Sequence, residues 1–109
     1  MAHRLPAPFH YATATTITTD PDGTVSVRYH RTDVFSMSPD GTITLRSGGW
    51  RTVTTKRRIN QAFKFFGVAA VLSQYKHDWY LGPYDQGDRI EFTDGMRIRV
   101  NGHGIAAAA

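Results

Sequence analysis

The sequence predicts an α+β fold, namely a bent, mostly antiparallel sheet of six or seven strands with one amphipathic helix packed on it. Short stretches rich in β-branched residues, separated by glycine-containing turns, fill both ends of the chain and indicate strands. One central stretch between Thr54 and Gly67 instead repeats its apolar residues every three or four positions, as a helix does. Because the strands come in runs and do not alternate with helices, the pattern favours α+β.

The first half of the chain is divided by two turns of the same chemistry, Asp20-Pro21-Asp22-Gly23 and Ser38-Pro39-Asp40-Gly41. In each turn proline presets φ, and glycine takes the left-handed position. Apolar and polar residues alternate after both turns, which is typical of half-buried strands. We therefore expect a four-strand meander over residues 10–47, with strands near 10–19, 25–30, 34–37 and 42–46.

The central helix is expected to begin at a cap formed by Thr54 or Thr55 and to end at Gly67. One face carries apolar side chains and the opposite face carries polar ones. The predicted buried residues are Ile59, Ala62, Phe63 and Phe66; the predicted exposed ones are Arg57, Asn60, Gln61 and Lys64.

Three cations, Lys56, Arg57 and Arg58, crowd the first turn of this helix, where the helix dipole disfavours positive charge. Beside exposed N–H groups they could seat a phosphate or an acidic partner, or they could be ordinary solvated charges. The preceding Trp50 is either a core anchor or an exposed stacking platform, and its place after Gly48-Gly49 favours the core.

The second half is less regular. Residues 68–75 are compatible with a strand or a helix, and the β-branched valines favour a strand. Residues 78–81 read as a strand or an aromatic loop, and 82–88 as a loop. The clearest hairpin is expected between 89–92 and 96–100, joined by the turn 93–95.

Domain organisation follows from these elements. We expect an extended lead-in at 1–9, held open by Pro6 and Pro8, then a single α+β domain at 10–101 and a disordered tail at 102–109. No apolar run has the length of a signal peptide or of a membrane span.

Composition restricts the chemistry. The 109 residues include no cysteine, which excludes disulfides and thiolate sites, and the chain carries a formal charge of +4. The five histidines are scattered singly, Asp78, Asp85 and Asp88 fit loop and solvent roles, and Glu91 is the sole glutamate. No phosphate-binding loop, dinucleotide fingerprint or nucleophile elbow is present. We therefore predict a protein that is not an enzyme and has no metal site and no cofactor.

The run GGW-R-T-V-TT-K-R-R-I-N resembles a segment of small tailed-bacteriophage proteins, in which a β-rich region leads through a Gly-Trp step into a TT-K-x-R-x-N helix start. The resemblance covers residues 29–63. It implies a phage origin and a setting in the host cytoplasm, and it transfers no catalytic or binding residue.

Three functions are compatible with these observations, and none of them fixes the oligomeric state. The first is a phage accessory protein that binds nucleic acid through a basic face, with exposed aromatic rings stacking on bases. Its predicted contacts are Arg28, Arg46, Lys56, Arg57, Arg58, Lys64, Arg97 and Arg99. The competing interpretation is a solvated sheet face whose arginines pair with carboxylates across strands.

The second function is binding of a host bacterial protein through an aromatic loop formed by Trp79, Tyr80 and Tyr84, since such residues often anchor interfaces. The third is a structural role in the virion.

Overall fold

The protein, described here by a computed structural model for residues 5–10 and 12–108, consists of two antiparallel sheets and one helix. The α+β class and the mostly antiparallel sheet are confirmed. The described residues form nine strands in two sheets, where one sheet of six or seven was expected. In chain order the elements are β1 (Thr15–Thr19), β2 (Val25–Tyr29), β3 (Thr32–Met37), β4 (Ile43–Leu45), α1 (Val53–Phe65), β5 (Val71–Tyr75), β6 (Asp78–Gly82), β7 (Ile90–Glu91), β8 (Met96–Asn101) and β9 (Gly104–Ala107).

The large sheet has the order β1-β2-β3-β4-β8-β9, and its first four strands are the predicted meander. The small sheet has the order β5-β6-β7, so the strand interpretation of residues 68–75 is confirmed from Val71 onward. Both turns of the Pro-Asp-Gly type are formed, with Gly23 and Gly41 at positive φ. Turn chemistry therefore predicted the first half of the fold well.

The prediction of a hairpin between 89–92 and 96–100 is wrong. β7 pairs with β6 in the small sheet, whereas β8 pairs with β4 and β9 in the large one. The turn itself forms, but the Ser47 hydroxyl donates to the Asp94 carboxylate, whose two oxygens lie 2.7 and 2.9 Å from the Ser47 Oγ, and the Gly95 N–H donates to the Leu45 carbonyl. These bonds attach the turn to the end of β4, so the chain passes from one sheet to the other.

The helix begins two or three residues earlier than expected, because Thr52 is the cap: its hydroxyl accepts a hydrogen bond from the Thr55 N–H at 3.1 Å. Its apolar face packs as predicted. Ile59, Ala62 and Phe63 are buried, and the Phe63 ring meets the Phe35 ring edge-on at 5.9 Å. The helix thus lies on one face of the large sheet and also contacts β5.

The predicted disordered tail is also wrong, since Gly104–Ala107 is strand β9. Ile105 is fully buried, and its N–H and carbonyl bond Pro83 and Asp85 of the loop that follows β6. A single isoleucine among glycines and alanines gives too weak a pattern to predict a strand. The domain therefore continues through the segment assigned to the tail.

The N-terminal segment also differs from the extended lead-in that was expected. Residues 1–4 lie outside the described part of the chain, but 5–9 form a turn in which the Phe9 N–H donates to the Pro6 carbonyl. Phe9 is fully buried and its ring packs edge-on against Phe65 at 5.7 Å. This segment belongs to the core because Phe9 supplies a large apolar side chain to it.

Candidate functional site

Four predicted arginines share the outer face of the large sheet, the face turned away from the helix. Cross-strand partners in an antiparallel sheet point to the same side, and the register joins Ser36 to Thr44 and Thr44 to Arg97. Arg28, Arg46, Arg97 and Arg99 are all exposed. We call these four residues the sheet face.

Two arginines of the sheet face are already paired with carboxylates. The Arg28 Nε lies 2.9 Å from an Asp33 oxygen, and an Arg99 terminal nitrogen lies 2.8 Å from an Asp40 oxygen. The hydrogen bond to Asp33 raises the pKa of Arg28. This half of the face matches the interpretation of cross-strand pairing, with each exposed pair contributing little stability.

A second group of cations lies on the solvent side of α1. Lys56, Arg57 and Lys64 line one shallow groove of about 490 Å³, together with Val53 and Asn60. Arg57 and Lys64 are exposed, and the Lys56 ammonium donates to the Gln74 side chain at 3.2 Å. We call Lys56, Arg57 and Lys64 the helix surface.

No carboxylate accompanies this surface along the chain. Between Asp40 and Asp78 the sequence has no Asp or Glu, whereas it has seven basic residues: Arg46, Arg51, Lys56, Arg57, Arg58, Lys64 and Lys76. No ion pair forms on the helix surface among the described residues. Its positive charge is therefore uncompensated, unlike that of Arg28 and Arg99 on the sheet face.

Arg58, predicted as a contact with nucleic acid, is not part of either surface because it is buried. Only 6% of the residue is exposed, and its guanidinium donates to Thr15 on β1 and to Gln61 while lying 5.5 Å from the centre of the Tyr29 ring. Burial lowers its pKa. The helical period places Arg58 toward the sheet, where it ties α1 to β1.

The predicted single basic face is accordingly two surfaces. Ile59 and Phe63 pack on the inner side of the large sheet, so the helix surface and the sheet face lie on opposite sides of that sheet. A helix laid on a sheet exposes its own far side and leaves the other face of the sheet free. The sequence predicted the cations of both surfaces but did not show that the two surfaces lie on opposite sides of the sheet.

Trp50 is 74% exposed, so the prediction of a core anchor is wrong. Gly48 and Gly49 both adopt positive φ, and the Trp50 N–H donates to the Ser47 carbonyl in a tight turn at the surface. The indole borders a groove of about 720 Å³ that is also lined by the β2–β3 turn. We call this the Trp50 groove; its walls include Tyr29, His30, Arg31, Trp50 and Thr52.

Only part of the expected aromatic loop is a loop: Tyr84 lies in the loop after β6, but Trp79 and Tyr80 lie on β6. Trp79 lies on β6, is 1% exposed, and packs against the Phe92 ring at 5.4 Å. Tyr84 is half-buried beside Ile105. Trp79, predicted as an anchor for a partner, is therefore a core residue and is not on the surface.

Tyr80 belongs to a different cluster that the sequence did not reveal. The Arg89 guanidinium lies 4.0 Å from the centre of the Tyr80 ring and 5.3 Å from that of Tyr75, and the Lys76 ammonium lies 5.4 Å from Tyr75. We call Tyr75, Lys76, Tyr80 and Arg89 the Tyr75 cluster. Arg89 lies in a loop far along the chain from Tyr75, so only strand pairing brings them together.

Within residues 5–10 and 12–108, no group of three or more histidine and carboxylate side chains has the arrangement of a metal site, and no helix is long and apolar enough to cross a membrane. The fold and its surfaces define a small basic α+β protein with one uncompensated helical face.

The chain belongs to the Kyanoviridae Gp96 protein family, whose family model matches residues 4–99. Because this is a family of phage proteins, the phage origin implied by the resemblance is confirmed; the particular Gly-Trp segment is not singled out by the match. No curated protein and no solved structure matches the chain significantly.

Proposed function

We propose that this phage protein is a non-catalytic accessory factor that binds nucleic acid through the helix surface, in the cytoplasm of the infected host. The observation that carries the proposal is the uncompensated charge of Lys56, Arg57 and Lys64 in one groove. Phosphates bound there would release counterions, which is the main source of sequence-independent affinity for nucleic acid.

The sheet face contributes less in this proposal. Asp33 and Asp40 already occupy Arg28 and Arg99, so a phosphate would have to compete with both carboxylates. Arg46 and Arg97 have no ion pair among the described residues, but they lie on the far side of the sheet from the helix surface.

Binding of labelled oligonucleotides at several salt concentrations tests this function. Each phosphate neutralised on a single strand contributes about −0.7 to the slope of log K against log salt concentration, so the three cations predict a slope of about −2. The readout is fluorescence anisotropy of single-stranded and duplex oligonucleotides. Absence of binding at low salt would exclude the proposal.

A second candidate is binding of a host protein through the Tyr75 cluster, because Tyr75 is 51% exposed and lies beside two cations. Tyrosine and arginine are frequent interface anchors. A pull-down from nuclease-treated host lysate, repeated with Tyr75→Ala, tests it. A partner that is captured after nuclease treatment by the wild type but not by the variant supports this candidate, and equal capture by both excludes the cluster.

A further inference from the structure

The Trp50 groove is a recess that the basic surfaces do not explain. Its volume of about 720 Å³ lies in the range typical of small-ligand sites. A tryptophan is the costliest apolar side chain to leave in water, yet folding leaves three-quarters of Trp50 exposed at the edge of this recess. The groove thus offers a large flat ring to a ligand.

The β2–β3 turn adds an aromatic pair to the lining of the groove. The His30 ring lies 4.3 Å from the Tyr29 ring, and His30 adopts a left-handed φ of 54° at the turn between β2 and β3. A non-glycine residue in that conformation is uncommon and is held by its surroundings. Its N–H donates to the Ala14 carbonyl, which helps to fix the turn.

Charge and polarity select the class of ligand. The residues that line the groove include Arg31 and the hydroxyl-bearing Thr32 and Thr52, and none of them is acidic. Aromatic rings beside a cation without a carboxylate suit a planar ring attached to a phosphate. Every base has such a flat face, and each stacked base contributes substantially to single-strand binding.

The groove is also adjacent to the helix surface. The first turn of α1 lines both recesses, with Thr52 and Thr55 facing the Trp50 groove while Val53, Lys56 and Arg57 line the other. The start of α1 therefore borders both the Trp50 groove and the groove of the helix surface.

We infer that the Trp50 groove is a base-binding subsite for single-stranded nucleic acid, in which an unpaired base stacks on Trp50 and Arg31 contacts its phosphate. This inference rests on the proposed function and adds two properties to it. The protein prefers single strands to duplexes, since the faces of bases in a duplex are covered by the neighbouring base pairs. Its affinity depends on an aromatic ring as well as on charge.

The test uses the full-length protein and a single-stranded DNA oligonucleotide, with a duplex of the same sequence as a comparison. The chain has two tryptophans, and Trp79 is buried, so quenching of the exposed indole reports on Trp50. We expect the single strand to quench this emission and Trp50→Ala to weaken single-strand binding by roughly ten-fold or more, with little effect on duplex binding. Trp50→Phe should retain most of the affinity.

Val71→Ala is the matched control, because Val71 is an exposed apolar residue on the small sheet, outside both recesses. It should bind the single strand like the wild type. If the oligonucleotide binds without quenching and Trp50→Ala binds normally, the subsite is excluded while the basic surface stands. If neither oligonucleotide binds at low salt, both the subsite and the proposed function are excluded.

Discussion

At the scale of single residues, Asn60 joins the helix to the small sheet. Its amide nitrogen donates to the Leu72 carbonyl at 2.9 Å, and its amide oxygen accepts from the Leu72 N–H at 2.8 Å. β5 is an outer strand of the small sheet, so its backbone groups on that side have no strand partner. Asn60 supplies the hydrogen bonds that a neighbouring strand would otherwise make.

Replacing Asn60 with Ala should lower the free energy of unfolding by about 1–3 kcal/mol, since two partly buried backbone groups lose their partners. Chemical denaturation measures the change. Lys64→Ala, one turn further along the same helix and exposed, should stay within about 0.5 kcal/mol of the wild type. Equal losses for the two variants would contradict the role assigned to Asn60.

Asp40 controls a pH-dependent contribution to stability. The Ser38 hydroxyl, and after it the Thr42 N–H, donate to its carboxylate and hold its pKa well below the usual range. A carboxyl group whose pKa is lower in the folded state stabilises the protein above its unfolded pKa of about 3.9, and this contribution is lost as the pH falls through the folded pKa.

Asp40→Asn should therefore be less stable than the wild type at pH 7, and the difference should shrink as the pH falls below about 4. Thermal unfolding at several pH values provides the comparison. Asp78→Asn controls for the change of charge, because no described residue hydrogen-bonds that exposed side chain. A difference that stays constant from pH 7 to pH 2 would refute the assignment.

At the scale of elements, β9 depends on one glycine. Gly104 has a φ of 116°, and a Cβ atom there would lie 2.6 Å from the Pro83 carbonyl oxygen. The close approach lets Ile105 bond the loop after β6 through its N–H and its carbonyl. The last strand of the large sheet is thereby attached to the small sheet.

Gly104→Ala should destabilise the protein by about 1–3 kcal/mol, because the backbone conformation is strained for alanine and the carbonyl must move. Gly102→Ala is the matched control, as a Cβ there meets nothing within 4 Å. Denaturation and amide hydrogen exchange at Ile105 measure the effect. Similar stability of the two variants would show that the contact with Pro83 matters little.

The same elements show what the sequence could predict. Turn chemistry and alternation located β1 to β4, and the helical period located α1, because those signals are local. The assignment of β7 and β8 to different sheets could not be predicted, since it depends on Asp94 reaching Ser47 from 47 positions away along the chain. β9 was missed because only Ile105 carries an apolar signal.

For the candidate site, too, the features set by local sequence were predicted and those set by long-range packing were not. The helical period predicted that Arg57 and Lys64 are exposed, and they are, whereas Arg58, the neighbour of Arg57, is buried although a surface contact was predicted for it. Trp50 was expected in the core but is exposed by a local glycine turn. Trp79 was expected on the surface but is buried by strand pairing beside Phe92. Long-range packing, which no local pattern encodes, decides which aromatic rings are exposed.

At the scale of the whole molecule, the two sides of the large sheet differ in how their positive charges are paired. Carboxylates accompany Arg28 and Arg99 on the sheet face, while the helix surface on the opposite side has none. A net charge of +4 would say little by itself, but three cations without an ion pair among the described residues give the helix surface a local positive potential that a polyanion meets.

The most direct measurement is the salt dependence of single-strand binding for two charge-reversal variants matched in net charge. Lys56→Glu with Arg57→Glu alters the helix surface, and Arg46→Glu with Arg97→Glu alters the sheet face. We predict that the helix variant loses most of its affinity, and that any binding it keeps has a slope flatter by about 1.4, since two phosphate contacts are removed. The sheet variant should stay close to the wild type. Equal losses in both variants, or a larger loss in the sheet variant, would contradict the assignment of binding to the helix surface.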